Sequence, residues 1–270
     1  MGILTPSARL FASAGAIALA LVLSGCASDP AKETTGSVAA ASGPRTEADW
    51  RRESETLGER YRANPEDGAV AMQYAQALRG NGQRTQAVAV LEQASLQNPA
   101  DQSILGAYGR ALAEVGRNEQ ALEVLSRSHT PEQPDWRILS VQGAVLDQMG
   151  KHDDARRQYA SALKIIPNEP SVLSNLGLSY ALSKDLPKAE ETLRRAAAQP
   201  AAEQKVRQNL ALVVGLQGRF AEAETIARGD LSPDEAAANV TYLRQMLSQQ
   251  KDLKKNNRPR AAAPTERPKS

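Results

Sequence analysis

Residues 136–169 read WRILSVQGAVLDQMGKHDDARRQYASALKIIPNE, and residues 170–203 read PSVLSNLGLSYALSKDLPKAEETLRRAAAQPAAE. Laid one over the other, the two 34-residue lines agree where side-chain size and backbone freedom matter. Gly143 stands over Gly177, Leu146 over Tyr180, Ala155 over Ala189, Tyr159 over Leu193 and Ala162 over Ala196. The phase extends both ways: Ala87, Ala121, Ala155, Ala189 and Ala223 recur every 34 residues, as do Gly82, Gly116, Gly150 and Gly218, with Lys184 in the missing place. An irregular alanine-rich bundle would match alanines by chance but would not hold them in phase with glycines. A fixed period of about 20 to 50 residues marks a repeat array.

Five units follow, at 68–101, 102–135, 136–169, 170–203 and 204–237. The eighth place of each is small (Ala75, Gly109, Gly143, Gly177, Ala211), and the eleventh is large (Leu78, Leu112, Leu146, Tyr180, Val214). The twenty-fourth is Leu91, Leu125, Tyr159, Leu193 and Ala227. Small residues let two helices of a hairpin approach while large ones fill the space between them. Glycine ends the first helix where a positive φ is needed. Prolines at 99, 167, 200 and 233, with Pro65 before them, stop the second helix. In the fifth unit Arg207, Ala227 and Asp230 break the pattern, which predicts looser packing there.

Composition agrees with an all-α chain: aromatic residues are only 4% of the 270, and the net charge is +2 with both signs interleaved. Such a surface offers no broad field to nucleic acid. The single cysteine excludes an intrachain disulfide framework and a cysteine-based zinc site.

The unit pattern resembles the tetratricopeptide repeat. That resemblance implies an α-α superhelix, a right-handed solenoid of helical hairpins, which binds other polypeptides along its concave wall. It also implies that places 2, 5, 9 and 12 of each first helix line the wall. Among these are Met72, Gln76 and Arg79; Arg110; Arg137 and Asp147; Leu178; and Lys205, Gln208 and Leu212. Asn175 and Asn209, at the sixth place, are candidates to hold a guest backbone. Four basic side chains against one acid favour a guest bearing carboxylates; merely solvated polar residues are the plainer alternative. Thr46 with Asp49 opens a capping helix over 46–67, and Ser232-Pro233-Asp234-Glu235 opens another over 232–250, as the open ends of a solenoid require.

At the front, Leu10 to Leu23 is an apolar run ending in Leu23-Ser24-Gly25-Cys26. About 14 residues is short of the roughly 20 that cross a bilayer, so residues 1–25 read as a signal peptide. The small residues before Cys26 resemble the lipobox of bacterial lipoproteins, which implies a covalent lipid on Cys26. Ala27, where an Asp would favour inner-membrane retention in that family, implies the periplasmic face of the outer membrane. Residues 26–45 then form a flexible tether, whose 19 residues from Ala27 span roughly 25 Å. The tail 251–270 carries seven Lys or Arg against two acids and three prolines, and reads as solvated disorder able to meet anionic lipid.

Nothing in the chain reads as a catalytic constellation, and no cofactor or metal cluster is expected. His129 and His152 fall at turns, as exposed residues, while Asp153-Asp154 and Glu190-Glu191 sit beside arginines on solvated helix faces. Residues 209–218, 220–224 and above all 234–247 (DEAAANVTYLRQML) resemble the end of the TadD family, tetratricopeptide lipoproteins of Flp (Tad) pilus assembly. That resemblance implies a pilotin-like factor whose partner is a secretin or another pilus-assembly component. The alternative is a general periplasmic scaffold for peptidoglycan enzymes or outer-membrane assembly.

Overall fold

A computed structural model describes residues 45–256; the signal peptide, Cys26, the tether to residue 44 and the tail beyond residue 256 lie outside the described residues. Twelve helices and no strands occur among the described residues. Five first helices, α2 (Gly68–Gly80), α4 (Gln102–Glu114), α6 (Trp136–Gln148), α8 (Pro170–Leu182) and α10 (Gln204–Leu216), each have 13 residues and start 34 residues apart. Five second helices alternate with them, also starting at 34-residue intervals: α3 (Arg84–Gln97), α5 (Asn118–Ser126), α7 (His152–Ile165), α9 (Leu186–Ala197) and α11 (Phe220–Ala227). The fold is an all-α tetratricopeptide-type solenoid, closed by α1 (Glu47–Ala63) at one end and α12 (Pro233–Asn256) at the other. No described helix is long and apolar enough to cross a membrane.

Each hairpin turns on the same device. In the first, Gln83 N–H donates to the Leu78 carbonyl at 2.8 Å and Gly82 N–H to that of Arg79, with Gly82 at φ 75°. Arg117, Lys151, Asp185 and Arg219 repeat the longer bond to Leu112, Leu146, Tyr180 and Val214. These are Schellman closures, and they need a left-handed residue. Four units supply glycine; the fourth forces Lys184 to φ 67°.

The small eighth place has a measurable reason. A Cβ on Gly109 or Gly177 would fall 2.5 Å or 2.6 Å from the Cγ of Leu125 or Leu193, and one on Gly143 would fall 2.6 Å from Cε1 of Tyr159. Ala87, Ala121, Ala155 and Ala189 are fully buried at the same interface. Acids at the thirty-fourth place cap the next first helix, a signal the sequence reading missed: Asp67, Asp101, Asp135 and Glu169 each accept from backbone N–H groups one turn in.

The fifth unit is not loose. Arg207 and Asp230, at places where the third and fourth units carry Leu139 and Ala162 or Leu173 and Ala196, meet each other with Nε–Oδ2 2.7 Å and Nη2–Oδ1 2.5 Å. Arg207 also donates to the Ala202 carbonyl at 2.9 Å. Ala227 is buried with Ala211 and with Ala236 of α12, and Ile226 and Leu231 pack against them, so the site is filled.

Both ends carry capping boxes. Thr46 Oγ1 accepts from Asp49 N–H at 3.2 Å and Ser232 Oγ from Glu235 N–H at 3.3 Å, each with the reciprocal bond at 2.9 Å. Trp50 covers Gly80, where there is no room for a Cβ, Tyr61 lies against Tyr74, and Leu243 presses on Gly215. Helix α12 continues to Asn256, six residues past the boundary expected at 250.

Polar bonds stitch neighbouring units at two recurring intervals. At 35 residues, first helix to first helix, Arg79 grips Glu114 through both guanidinium arms, Asn175 donates to Ser140 at 3.2 Å and Asn209 to Ser174 at 3.0 Å. At 27 residues, a second helix meets the next unit's turn: Asn81 to Ser54, Arg156 to Ser183 and Gln217 to Glu190. Because Ser54 takes the place of Arg156 and Glu190 in this series, α1 behaves as the second helix of a unit preceding the first.

Candidate partner-binding groove

The inner wall is built by the five first helices, whose small residues at places 2, 5 and 9 (Ser103, Gly106, Ser140, Ala144) keep it open. Two of the hollows along it hold candidate residues. One, of about 540 Å³, lies between α2, α4 and the 128–138 segment, and holds Met72, Gln76, Arg79 and Arg110. The other, of about 310 Å³, lies along α4, α6 and α8, and holds Arg110, Arg137 and Asn175. Arg110 is common to both.

The arginines differ in what they are free to do. Arg79 is committed to Glu114, with Nε–Oε2 at 2.8 Å, so it is not the free grip that the sequence suggested. Arg137 stacks its guanidinium 4.4 Å above the Trp136 ring and makes no ion pair among the described residues. Arg110 is half-buried and likewise unpaired among the described residues. Burial lowers its pKa, the charge of Asp135 opposes that shift, and Arg79 and Arg137 add to it. A guanidinium so placed stays charged, and although Asp135 borders the same hollow the two form no ion pair.

Three residues assigned to the wall do other work. Asp147 has a side chain only 8% exposed, and its carboxylate accepts from Ser179 Oγ at 2.8 Å and Tyr159 OH at 3.0 Å, with His152 Nδ1 at 2.8 Å. It ties α6, α7 and α8 together instead of facing a guest, and it raises the Tyr159 pKa, whose main cause is burial. Asn175 and Asn209 reach back to the serines of the preceding unit, although Asn175 still borders the second hollow. Lys205 is exposed and Gln208 half-buried on α10.

The histidines are not exposed turn residues. His152 is bound to Asp147, and His129, half-buried, lines the first hollow with Nδ1 buried and unpartnered. His129 arrives there because α5 stops at Ser126, leaving residues 127–135, with Pro131 and Pro134, as a loop along the wall. Asp153 and Asp154 pair with Arg156 and Arg157. Glu190 is held down to about 2, first by Arg219 and also by Gln217 and Arg194. Among the described residues no group of three or more His, Cys, Asp or Glu could hold a metal ion.

Two tetratricopeptide repeat family models match, over residues 78–140 and 141–203. No curated protein is a significant match to the sequence. Among solved structures, the fold is similar to PilW, a widely conserved type IV pilus biogenesis factor, at 15% identity and TM-score 0.63, covering 72% of this chain and 91% of that one. A tetratricopeptide repeat protein from Parabacteroides merdae superposes at TM-score 0.59 and 16% identity, over 76% and 81% of the two chains. The Cut9-Hcn1 hetero-tetramer of the APC/C gives TM-score 0.60 at 15% identity, over 75% and 40%. At these identities the likeness is one of fold. That fold typically serves protein interaction without catalysis, and the tetratricopeptide repeat models match residues 78–203 of the chain.

Proposed function

We propose that the chain is a lipid-anchored scaffold of the outer membrane that holds a segment of a pilus-assembly protein in its groove and acts, pilotin-like, on a secretin of the Flp (Tad) type. The observation that carries the binding role is Arg110, a half-buried cation that makes no ion pair among the described residues, at the junction of two open hollows. A partner carboxylate would supply that counter-ion through a charge-assisted, bidentate bond. The assignment to pilus assembly rests on the resemblance of residues 234–247 to TadD, and PilW shares the fold. The anchor is Cys26, carrying a covalent lipid. No other cofactor enters this reading.

The test is affinity capture of the full-length protein from detergent-solubilised envelopes, followed by identification of the bound proteins. A secretin or pilus-assembly subunit lost on Arg110→Glu supports the reading. Capture of only peptidoglycan enzymes or outer-membrane assembly factors would move the protein to the general scaffold role. Cys26→Ser should shift the protein from the membrane pellet to the soluble periplasmic fraction, and continued pelleting would refute the anchor.

A further inference from the structure

The inner wall changes character along its length. At places 9 and 13 of the first helices, the three early units carry polar, charged or small residues, Gln76, Arg110 and Ala144 at the ninth and Gly80, Glu114 and Gln148 at the thirteenth. In the fourth and fifth units both places become leucine: Leu178 and Leu182 on α8, Leu212 and Leu216 on α10. Four residues apart on a helix is one face. The two pairs stand one unit apart and so form a ladder. Leu182 is 57% exposed and the other three are half-buried. None of the four packs into the buried clusters that hold the described fold together. A buried-core role therefore does not explain them, and a partly exposed apolar ladder beside a polar wall points to an interaction site.

From the ladder, the same wall leads back to Arg110 and Arg137. We infer that the groove reads a two-part polypeptide segment, with carboxylates at one end seated on Arg110 and Arg137 and large apolar side chains at the other seated on the leucine ladder. This deepens the binding reading above and rests on it. Charge complementarity selects this guest: an apolar segment alone leaves the half-buried Arg110 without an ion pair, and an acidic one alone leaves the leucines only partly covered.

The spacing follows from the architecture. Packed helices lie about 8 to 10 Å apart, so the midpoint of α4 and α6 is roughly 20 Å from that of α8 and α10. An extended chain covers about 3.3 Å per residue, which puts some six residues between the two ends of the guest. Adjacent units correspond to about three residues, which sets the separation of the apolar pair.

The probe is a fluorescein-labelled synthetic peptide with two aspartates, a six-residue Ser-Gly spacer, then Leu-Ser-Ser-Leu, made in both chain directions. Its binding to the full chain is read by fluorescence anisotropy. Linking two half-sites makes the second contact intramolecular, so the better direction should bind at least about tenfold tighter than the aspartate-spacer or spacer-leucine half alone. Shortening the spacer to one residue should remove the gain. Arg110→Glu should abolish the contribution of the aspartates and leave the leucine half-peptide unaffected; Leu178→Asp with Leu212→Asp should do the converse. Leu182 is exposed enough to accept a charge without unfolding, so Leu182→Asp, checked by helicity, gives the apolar arm a folded variant.

A composite peptide that binds no better than its halves overturns the inference. So does a leucine ladder whose mutation only dissolves a dimer in sedimentation, because a second copy would then be its occupant. A pilus partner captured through Arg110 but indifferent to the leucines would leave the proposed function standing and remove the two-part reading. Composite binding with both dependences, but no pilus partner, would do the reverse.

Discussion

Replacing Lys184 by glycine should stabilise the protein, although it removes a side chain and adds a flexible residue. Lys184 holds φ 67° in the turn where the other four units have glycine. A left-handed L-residue costs roughly 1–2 kcal/mol, and glycine returns about 0.5–1 kcal/mol of that through the freedom it gains when unfolded. The expected net gain is about 0.5–1 kcal/mol. For a chain of this size that is a rise of roughly 1–4 °C in melting temperature. The hydrogen bonds of the turn, Lys184 N–H to the Ala181 carbonyl and Asp185 N–H to that of Tyr180, both 2.9 Å, use only backbone and survive the change. The reciprocal substitution gives the control: a Cβ on Gly150 would touch nothing within 4 Å, so Gly150→Lys isolates the backbone cost. Circular dichroism melts of Lys184→Gly, Lys184→Ala and Gly150→Lys should show a gain, no gain and a loss, the first and last about equal in size. If Lys184→Gly melts at or below the parent, or no better than Lys184→Ala, the left-handed strain is not what distinguishes this turn.

Gly143→Ala should cost about 1–3 kcal/mol by overpacking, because its methyl group would meet the Tyr159 ring at 2.6–2.9 Å; an unchanged urea midpoint would mean that the hairpin has slack. Asp230→Ala and Arg207→Leu should each destabilise, and the double change, which restores the apolar pattern of the third and fourth units, should lie nearer the parent than either; strict additivity in urea melts would show that the pair is not coupled. Glu190, held down to about 2 by Arg219, Gln217 and Arg194, has a folded pKa below the unfolded value of about 4.3. Its contribution is therefore fully present above about pH 5 and disappears as pH falls through about 2. The gap in melting temperature between parent and Glu190→Gln should stay constant from pH 7 to pH 5 and shrink steadily below; a gap independent of pH would remove the carboxylate's charge from the account.

The architecture was legible because its determinants are local and repeated. Each glycine at the hairpin turns, each small eighth residue and each capping box acts within its own unit, so the sequence shows it several times over. The groove was legible only in part. Counting places put Asp147 on the wall, but place 12 becomes internal in the third unit because Tyr159 replaces the leucine at place 24 and carries a hydroxyl that needs a partner. That tyrosine was the available signal. The commitment of Arg79 to Glu114 and of Asn209 to Ser174 depends on side chains 35 residues apart, and no period within one unit displays it. The leucines at place 13 lie outside the places 2, 5, 9 and 12 that the resemblance assigns to the wall, and only the structure shows Leu182 exposed.

The lateral bonds between units bear on how the groove yields. Those along the inner wall are exposed or half-buried pairs, each contributing about 1 kcal/mol or less, whereas the apolar core behind them runs on from unit to unit and is far stronger. Strain imposed by an incoming chain will therefore be taken up first along this wall, by small changes in pitch, before it reaches the core behind it. The array is compliant along its inner wall and stiff behind it. A guest of slightly wrong length costs the protein little, and one with the wrong chemistry finds no such tolerance.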